Sequence, residues 1–475
     1  MLKESRFYVI ASFITVGVNF LTLPLFTQYL SLEDYGIIGL FLVFGILITN
    51  LFSFGLNTAA YGLFFKFSRK EFRILNFCIL IFLISVFAVI GLFLIFPFSE
   101  IISSLIFSNQ LSQELIKLSF INGCLSYFYN FYSQLLVAQK KSISFSLLSI
   151  TQVSINASIT FYFILWNSLT FMAAVYGALI ANSIVLLIAL ILNRNLFFIS
   201  ISIKNLKKGL KFGIPEVPNI IVGQLYGTFD KLLLVNIKGL SDVGTYDFGN
   251  RFAGILKIFI DAIGKAFSPY FLENASSNKV NAKKEIVQTF YEIFIIFGFI
   301  GIAISLFSEE ALILLTTDEF YSAKYIVPII IIYFISGAMS QISMNQYIHS
   351  QALYYLAPIS FLGLIINVLL NVLLIPIYGA VGAAIATAIA AIITSSIHIY
   401  YGNRIYPLPL EFKKLISMVI LIFLFLVLSY PVIFIEESYI IKFFLKILIL
   451  GFYILITIKL KFIKKGRIKK YLFIN

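Results

Sequence analysis

The sequence has few charged residues. Only 12% of its 475 residues are Asp, Glu, Lys or Arg, whereas 60% are hydrophobic, and the mean hydropathy is +1.00. A soluble domain carries roughly 25% charged residues. The shortage of charge therefore excludes an ordinary soluble protein and predicts an all-α integral membrane protein with many spans.

Cysteine and histidine are equally scarce. The two cysteines, Cys78 and Cys124, both lie within apolar segments, and the two histidines, His349 and His398, are far apart in the sequence. Because no Cys, Asp or Glu stands at ligand spacing around them, we predict neither a disulfide framework nor a metal site. The sequence also contains no nucleophile elbow, P-loop or HExxH motif, so we predict no cofactor and no enzymatic activity.

Long connecting segments are missing too. A search for apolar runs of about 20 residues gives fourteen predicted spans, and no segment between them exceeds about 20 residues. Segments this short cannot hold a folded catalytic module, which disfavours a membrane-embedded glycan polymerase or ligase. The predicted spans are residues 7–29, 37–65, 74–97, 115–137, 143–165, 169–192, 211–237, 243–270, 287–307, 325–349, 354–375, 379–401, 412–434 and 438–459.

The charges that are present follow the predicted topology. The net charge is +14, and most Lys and Arg residues lie at the chain ends and in alternate loops, such as 66–73 and 204–211. The intervening loops carry acids, such as Glu309 and Glu310. The positive-inside rule then places both termini in the cytoplasm, which an even number of spans satisfies. This distribution is typical of topology signals and anionic-lipid contacts, and it argues against a nucleic-acid partner.

The sequence also contains an internal repeat. Residues 30–36, Leu-Ser-Leu-Glu-Asp-Tyr-Gly, are similar to residues 240–246, Leu-Ser-Asp-Val-Gly-Thr-Tyr, and several intramembrane polar residues coincide at an offset of 211. Some of these coincidences are expected by chance. Because six spans separate the copies, the repeat predicts two six-helix lobes with the same orientation, related by a pseudo-two-fold axis along the membrane normal.

The repeat sets the predicted domains. We expect an N-lobe over residues 1–195, a C-lobe over residues 196–405, and two additional spans with a basic cytoplasmic tail over residues 406–475. In repeat-built transporters the substrate site lies between the lobes near the bilayer midplane.

A stripe of charges runs along the predicted eighth span. We define the charged stripe as Asp247, Arg251, Lys257, Asp261 and Lys265. At about 100° per residue these five residues fall within an arc of roughly 120°. Each charge would cost about 2.5–3.5 kcal/mol at the bilayer centre. We therefore predict that the stripe faces protein or water.

Two interpretations of the charged stripe stay open. Its members are spaced so that Asp247–Arg251, Lys257–Asp261 and Asp261–Lys265 can form ion pairs within the helix. Alternatively, the stripe is a phosphate-binding surface, with Arg251 making a bidentate contact and the two lysines acting as point charges. The two aspartates would then orient the cations, and Asn250 lies on the same side.

Amides and two further acids complete the candidate site. The amides are predicted to contact sugar hydroxyls, and the alternative is hydrogen bonding between helices. They are Asn19, Asn50, Asn130, Gln134, Gln341, Asn345 and Asn367. Glu216, which lies between Pro215 and Pro218, is either a protonatable coupling residue or a residue at headgroup level. Asp230 is a second coupling candidate, and it and Lys231 can pair with the eighth span.

Three motifs together resemble a known family. They are Leu23-Pro24-Leu25 with the loop 30–36, the related loop 240–246, and Ile-Pro-Ile-Tyr-Gly-Ala-Val-Gly-Ala-Ala at 375–384. On these the chain resembles the Wzx-type polysaccharide-biosynthesis (O-antigen) flippases of the multidrug/oligosaccharidyl-lipid/polysaccharide exporter superfamily. The resemblance implies a central cationic cavity, alternating access, and a lipid portal between spans one and eight.

The resemblance also implies a cargo and partners. The cargo would be an undecaprenyl-pyrophosphate-linked oligosaccharide for O-antigen, capsule or exopolysaccharide synthesis. An H⁺ or Na⁺ gradient, and polymerase and chain-length proteins of the same pathway, are the further partners it implies. Two relatives are rivals. Lipid II flippases carry arginines in spans one and two, and multidrug cation antiporters use an acidic site in the first lobe; this sequence has neither.

Overall fold

The computed structural model describes residues 11, 14–15, 17–18, 20–64, 67–107, 111–167, 169–226, 228–275, 281–350, 352–433 and 439–462, without the side chains of residues 265, 266, 433 and 439. In these ranges the chain forms helices and no β-strand. The predicted all-α membrane fold is therefore confirmed. Asn19 and the side chain of Lys265 lie outside the described parts.

The chain divides into two compact units, residues 1–247 and 248–475. The first unit holds ten full helices among its described residues. These are α1 (Leu32–Leu51), α2 (Leu56–Phe64), α3 (Arg69–Ile90), α4 (Ser99–Phe107), α5 (Gln113–Ala138), α6 (Ser142–Asn167), α7 (Phe171–Leu192), α8 (Ile203–Gly213), α9 (Val217–Tyr226) and α10 (Phe229–Ile237). The boundary between the units falls within α11 (Leu240–Ala275).

The second unit contains the remainder of α11 and five further helices in the described ranges. They are α12 (Ala282–Leu315), α13 (Val327–His349), α14 (Leu356–Ile405), α15 (Phe412–Ile433) and α16 (Tyr439–Lys459). The units match the three predicted domains in neither number nor boundary, and the division at 195 and 405 stays a prediction.

Every predicted span from 37–65 onward coincides with helix. Among the described residues nine helices are long and apolar enough to cross a membrane, and a bent pair of helices formed by residues 203–237 makes a tenth. The long helix α14 contains two predicted spans, because Gly379 has a φ of 55° and interrupts it three residues after Pro376. Prolines also shape span seven, where a 3₁₀ turn over Ile214–Glu216 separates α8 from α9.

Glycine and polar contacts hold the first unit together. A Cβ on Gly45 of α1 would lie 2.3 Å from the Ser119 carbonyl oxygen of α5, and a Cβ on Gly123 of α5 would lie 2.3 Å from the Gly45 carbonyl oxygen. The two backbones therefore touch where neither glycine has room for a side chain. Nearby, Asn182 Nδ2 donates to Asn122 Oδ1 at 2.9 Å, and Gln152 Nε2 donates to Asn182 Oδ1 at 3.3 Å. These three amides link α5, α6 and α7, as interhelical hydrogen bonds do in membranes.

A polar seam on α12 fastens the last two helices of the second unit. Ser305 and Ser429 hydroxyls are 2.7 Å apart, and the Tyr453 hydroxyl donates to the Ile295 carbonyl at 3.0 Å. We define the carboxylate end of this seam as Glu309 and Glu310. Glu310 forms an ion pair with Lys446 at 2.5 Å, and Glu309 forms ion pairs with Lys324 at 2.8 Å and with Lys442 at 3.6 Å.

Candidate substrate-binding site

The helix α11 contains the predicted eighth span and carries the charged stripe. At about 1.5 Å per residue, its 36 residues span roughly 54 Å, which exceeds the hydrocarbon core of about 30 Å. Arg251 lies about 16 Å and Lys257 about 25 Å along the helix from its start. Both side chains are exposed, as is Asp261, while Asn250 is half-buried. Charges exposed along a predicted span would have to face water or a polar ligand, because lipid would exclude them.

The first member of the charged stripe is buried and paired. Asp247 forms an ion pair with Lys231 of α10, and both residues are buried. One residue earlier on each helix, the Tyr246 hydroxyl donates to the carboxylate of Asp230, which is also buried. The prediction that Asp230 and Lys231 pair with the eighth span is confirmed. This buried network fixes α10 against the start of α11.

Farther along α11 the stripe contains an exposed ion pair. Lys257 Nζ lies 2.6 Å from Asp261 Oδ2, with side chains 57% and 50% exposed. Pairing within the helix, the first of the two interpretations, is thus confirmed for these two residues. An exposed pair contributes only about 0–1 kcal/mol, so an incoming phosphate can displace the carboxylate from Lys257 at little cost. A phosphate-binding role for the stripe stays a prediction.

Three of the candidate amides are accessible in the first unit. Asn130 and Gln134 are exposed and lie four residues apart on α5, and the Asn130 amide is 3.4 Å from the Ser126 hydroxyl. Asn50 of α1 is half-buried and donates to Gln224 Oε1 at 3.3 Å. All three therefore present amide groups that can exchange a protein or water partner for a sugar hydroxyl.

The amides of the second unit are less accessible. Gln341 is half-buried and donates to the Ile260 carbonyl at 3.3 Å. Asn345 is buried and donates to the Gln341 carbonyl at 2.9 Å, whereas Asn367 is buried and donates to Thr387 Oγ1 at 3.2 Å. Asn371 extends this buried chain by donating to Asn367 at 3.0 Å. For Asn345 and Asn367 the geometry fits the alternative of hydrogen bonding inside the bundle, and a sugar contact stays a prediction.

The two coupling candidates occupy different surroundings. Glu216 is half-buried in the 3₁₀ turn and accepts a hydrogen bond of 2.8 Å from Asn219. Asp230 is buried against Tyr246, as described above. Their coupling role stays a prediction. Among the described residues no group of three or more His, Cys, Asp and Glu side chains could hold a metal ion.

Sequence reasoning missed a backbone crossing beside this site. A Cβ on Gly244 of α11 would lie 1.9 Å from the Leu32 carbonyl oxygen, and one on Gly36 of α1 would lie 2.3 Å from that of Leu240. The two glycines belong to the two copies of the repeated loop motif. Small residues near the start of both helices were the available signal, because close helix approach in membranes selects them.

Comparison with protein families identifies the chain. The model for polysaccharide biosynthesis proteins matches residues 1–275, which is more than half of the sequence. The chain belongs to the polysaccharide biosynthesis protein family. The family resemblance predicted from the loop motifs is thereby confirmed. A relative from Haemophilus influenzae, described as Lsg locus putative protein 1, is 28% identical over 121 residues, which cover 24% of this chain and 29% of that protein. The match thus spans under a third of that relative's length.

Solved structures share the fold of this polysaccharide biosynthesis protein. A structure of the lipid II flippase MurJ in an inward closed conformation has a TM-score of 0.71 at 15% identity, covering 97% of this chain and 100% of that chain. An inward-facing multidrug resistance MATE family transporter of the MOP superfamily has a TM-score of 0.65 at 13% identity, covering 84% and 94%. The fold is therefore that of the MOP superfamily transporters.

Proposed function

We propose that this protein is a flippase, and not an enzyme, that moves a polyprenyl-pyrophosphate-linked oligosaccharide across the bacterial inner membrane by alternating access. The observation that carries the proposal is the exposure of Arg251 and Lys257 on α11, within the predicted eighth span. A pyrophosphate is an anionic group that must itself be carried through the bilayer, and exposed cations can bind its oxygens. Membership of a polysaccharide biosynthesis family supports an oligosaccharide as the cargo.

The chemistry of the stripe suits a pyrophosphate. The guanidinium of Arg251 can donate two parallel hydrogen bonds to phosphate oxygens, and the ammonium of Lys257 adds a point charge. Asp261 holds Lys257 in place when no phosphate is bound. Lys265 would extend the cationic surface by two further turns of helix. Asp247, which is buried against Lys231, would orient the start of α11.

The sugars would be recognised by neutral groups. Asn130, Gln134, Asn50 and Gln341 offer both donors and acceptors, which match sugar hydroxyls without favouring one charge. The product would serve O-antigen, capsule or exopolysaccharide synthesis, and polymerase and chain-length proteins of that pathway would receive it. An H⁺ or Na⁺ gradient would drive the cycle through Glu216 or Asp230. Both termini would lie in the cytoplasm.

The proposal is tested by locating lipid-linked oligosaccharides in a strain that lacks this gene. We expect them to accumulate on the cytoplasmic leaflet, and we expect the intact gene to clear them. Arg251→Ala should lower clearance roughly ten- to a hundredfold, because a hydrogen bond to a charged group contributes about 1.5–3 kcal/mol. The measurement is leaflet-specific labelling of the glycan, at matched membrane abundance of each variant.

Arg404→Ala is the matched control, because Arg404 is an exposed arginine outside the stripe. It should restore clearance fully. Full activity of Arg251→Ala would remove the phosphate role of the stripe but leave the flippase. Accumulation of lipid II instead would make the protein a lipid II flippase. A normal glycan distribution together with new sensitivity to cationic drugs would make it a multidrug antiporter.

A further inference from the structure

The segment before span seven is a cationic surface. Residues 194–213 join the two predicted lobes and contain Arg194 and four lysines but no Asp or Glu. The four lysines, Lys204, Lys207, Lys208 and Lys211, are all exposed on α8. Arg69 and Lys70 at the start of α3 are exposed as well. We call residues 194–213 the basic linker.

Side chains of α3 hold the basic linker in a defined position. Arg73 Nε and Nη2 donate to the Phe197 carbonyl at 3.0 and 2.7 Å. Asn76 Nδ2 donates to the Leu196 carbonyl at 3.2 Å, and the Ser202 amide donates to Cys78 Sγ at 3.2 Å. Hydrogen bonds from α3 thus hold the backbone of the linker on the first unit, and this backbone sets where its exposed side chains begin.

Three isoleucines of the basic linker project away from the protein. Ile199, Ile201 and Ile203 are 86%, 73% and 66% exposed. Ile199 and Ile201 precede α8 and Ile203 is its first residue, so three exposed apolar side chains alternate within five residues. We call these three residues the isoleucine row. Contiguous exposed apolar groups next to lysines are typical of segments that lie in the membrane interface, with the apolar part at the acyl boundary.

Helix α8 separates a packing face from a cationic face. Asn205, Gly209 and Gly213 are buried on the face toward the bundle, and a Cβ on Gly209 would lie 3.1 Å from Leu75. At about 100° per residue, the four lysines fall within an arc of roughly 100° centred about 150° away from that face. The cations therefore point outward together, next to the isoleucine row.

We propose that the basic linker is a binding site for anionic phospholipid of the cytoplasmic leaflet. The lysines would bind the phosphodiester headgroups, and the isoleucine row would contact the first acyl carbons. Headgroup charge and an adjacent apolar chain occur together in a phospholipid, and a soluble polyanion offers only the charge. The site would hold the linker between the predicted lobes against the membrane, independently of which cargo is flipped.

The test measures lipid retention by the purified full-length protein in detergent, using native mass spectrometry. Equal amounts of dioleoylphosphatidylglycerol and dioleoylphosphatidylcholine are added, and the ratio of bound lipids is measured. Each lysine near an anionic surface contributes on the order of fivefold to binding. We expect the K204Q/K207Q/K208Q/K211Q variant to lose at least about fivefold in preference for phosphatidylglycerol, and high salt to weaken the preference of the wild type.

Two further variants make the result decisive. K140Q/K141Q/K284Q/K413Q removes four other exposed lysines and should change the ratio by less than about twofold, because their loops lack the isoleucine row. K204R/K207R/K208R/K211R keeps the charges and should keep the preference. An unchanged ratio in the glutamine variant, or an equal loss in the control, would overturn the proposal. Displacement of the bound lipid by inorganic pyrophosphate would also overturn it. Because lipid retention is measured without transport, failure here leaves the proposed flippase untouched.

Discussion

The ion pair between Lys231 and Asp247 is an interaction that stability can require even though it binds no ligand. Both are buried and belong to different helices. Two charges removed from water lose several kcal/mol of hydration each, which their attraction only offsets while both are present. The complete pair therefore stabilises the fold by less than the removal of one partner would destabilise it. The sequence indicated that Lys231 can pair with the eighth span, because Lys231 lies toward the end of the seventh, but it did not identify Asp247 as the partner.

Loss of one partner should accordingly destabilise the protein. Lys231→Met leaves the Asp247 carboxylate buried without its ammonium, and we expect unfolding to become easier by about 3–5 kcal/mol. The measurement is thermal unfolding of the purified protein in detergent. Lys231→Met/Asp247→Leu should recover most of the loss, because both charges are then gone.

The exposed pair of the charged stripe is the matched control. Lys257→Met should change the same unfolding temperature little, since an exposed ion pair contributes only about 0–1 kcal/mol. An unfolding temperature in Lys231→Met equal to that of the wild type would show that the buried pair is dispensable. The spacing of Lys257 and Asp261 in the sequence predicted their ion pair. Its small energy follows from its exposure, which depends on neighbouring helices and cannot be read from the local sequence.

At the scale of elements, the starts of α1 and α11 cross without side chains between them. Gly36 and Gly244 each stand where a Cβ would meet a carbonyl oxygen of the other helix. In a membrane, helices associate through close packing, so this contact depends on glycine at both positions. Ser31 and Asp34 cap α1 beside the crossing and fix where that helix begins.

Gly244→Ala should loosen this crossing. The added methyl carbon would lie 1.9 Å from the Leu32 oxygen, and such overpacking costs typically about 1–3 kcal/mol. We expect a lower unfolding temperature in detergent. Gly451→Ala is the control, because nothing lies within 4 Å of its Cβ.

The direction in which the unfolding temperature changes in the two variants distinguishes overpacking from the ordinary effect of alanine in a helix. Alanine favours a helix over glycine by about 0.5–1 kcal/mol, so Gly451→Ala should raise the unfolding temperature slightly. A higher unfolding temperature for Gly244→Ala as well would show that α1 and α11 can move apart at this crossing without loss of stability.

The helices were the part of the structure that the sequence predicted best. Apolar runs of membrane length located the helices, because a span must satisfy its backbone internally. The interruptions were partly predictable. Pro215 and Pro218 indicated a break at the 3₁₀ turn, and the predicted spans 354–375 and 379–401 left a gap at the break inside α14, but the left-handed conformation of Gly379 was not predicted. Whether Asn345 and Asn367 face a sugar or a neighbouring helix could not be predicted, because both lie on faces whose partners come from distant segments.

At the scale of the whole molecule, the two membrane faces differ in charge. The basic linker lies on the predicted cytoplasmic face, and Glu309 and Glu310 lie on the predicted outer face. We expect cysteines introduced at Lys208 and Glu319, in a variant without Cys78 and Cys124, to differ in reactivity toward an impermeant maleimide added to intact spheroplasts. Cysteine at position 319 should react, and cysteine at position 208 should react only after lysis.

The reverse labelling pattern would contradict the predicted orientation and place the basic linker outside. The family and the fold could be predicted because repeated motifs and charge asymmetry extend over hundreds of residues. The cargo could not, since amides can accept many sugars and, in the proposed function, the charged stripe would bind only the pyrophosphate that such cargoes share.

The polar seam on α12 also bears on the order of synthesis. Glu309 and Glu310 enter the membrane early, but Lys446 follows Glu310 by 136 residues. Until the ribosome has made α16, these carboxylates lack two of their lysines. The last helix thus supplies counter-charges to α12, and a nascent protein truncated before α16 would leave Glu310 without Lys446 while Glu309 kept Lys324.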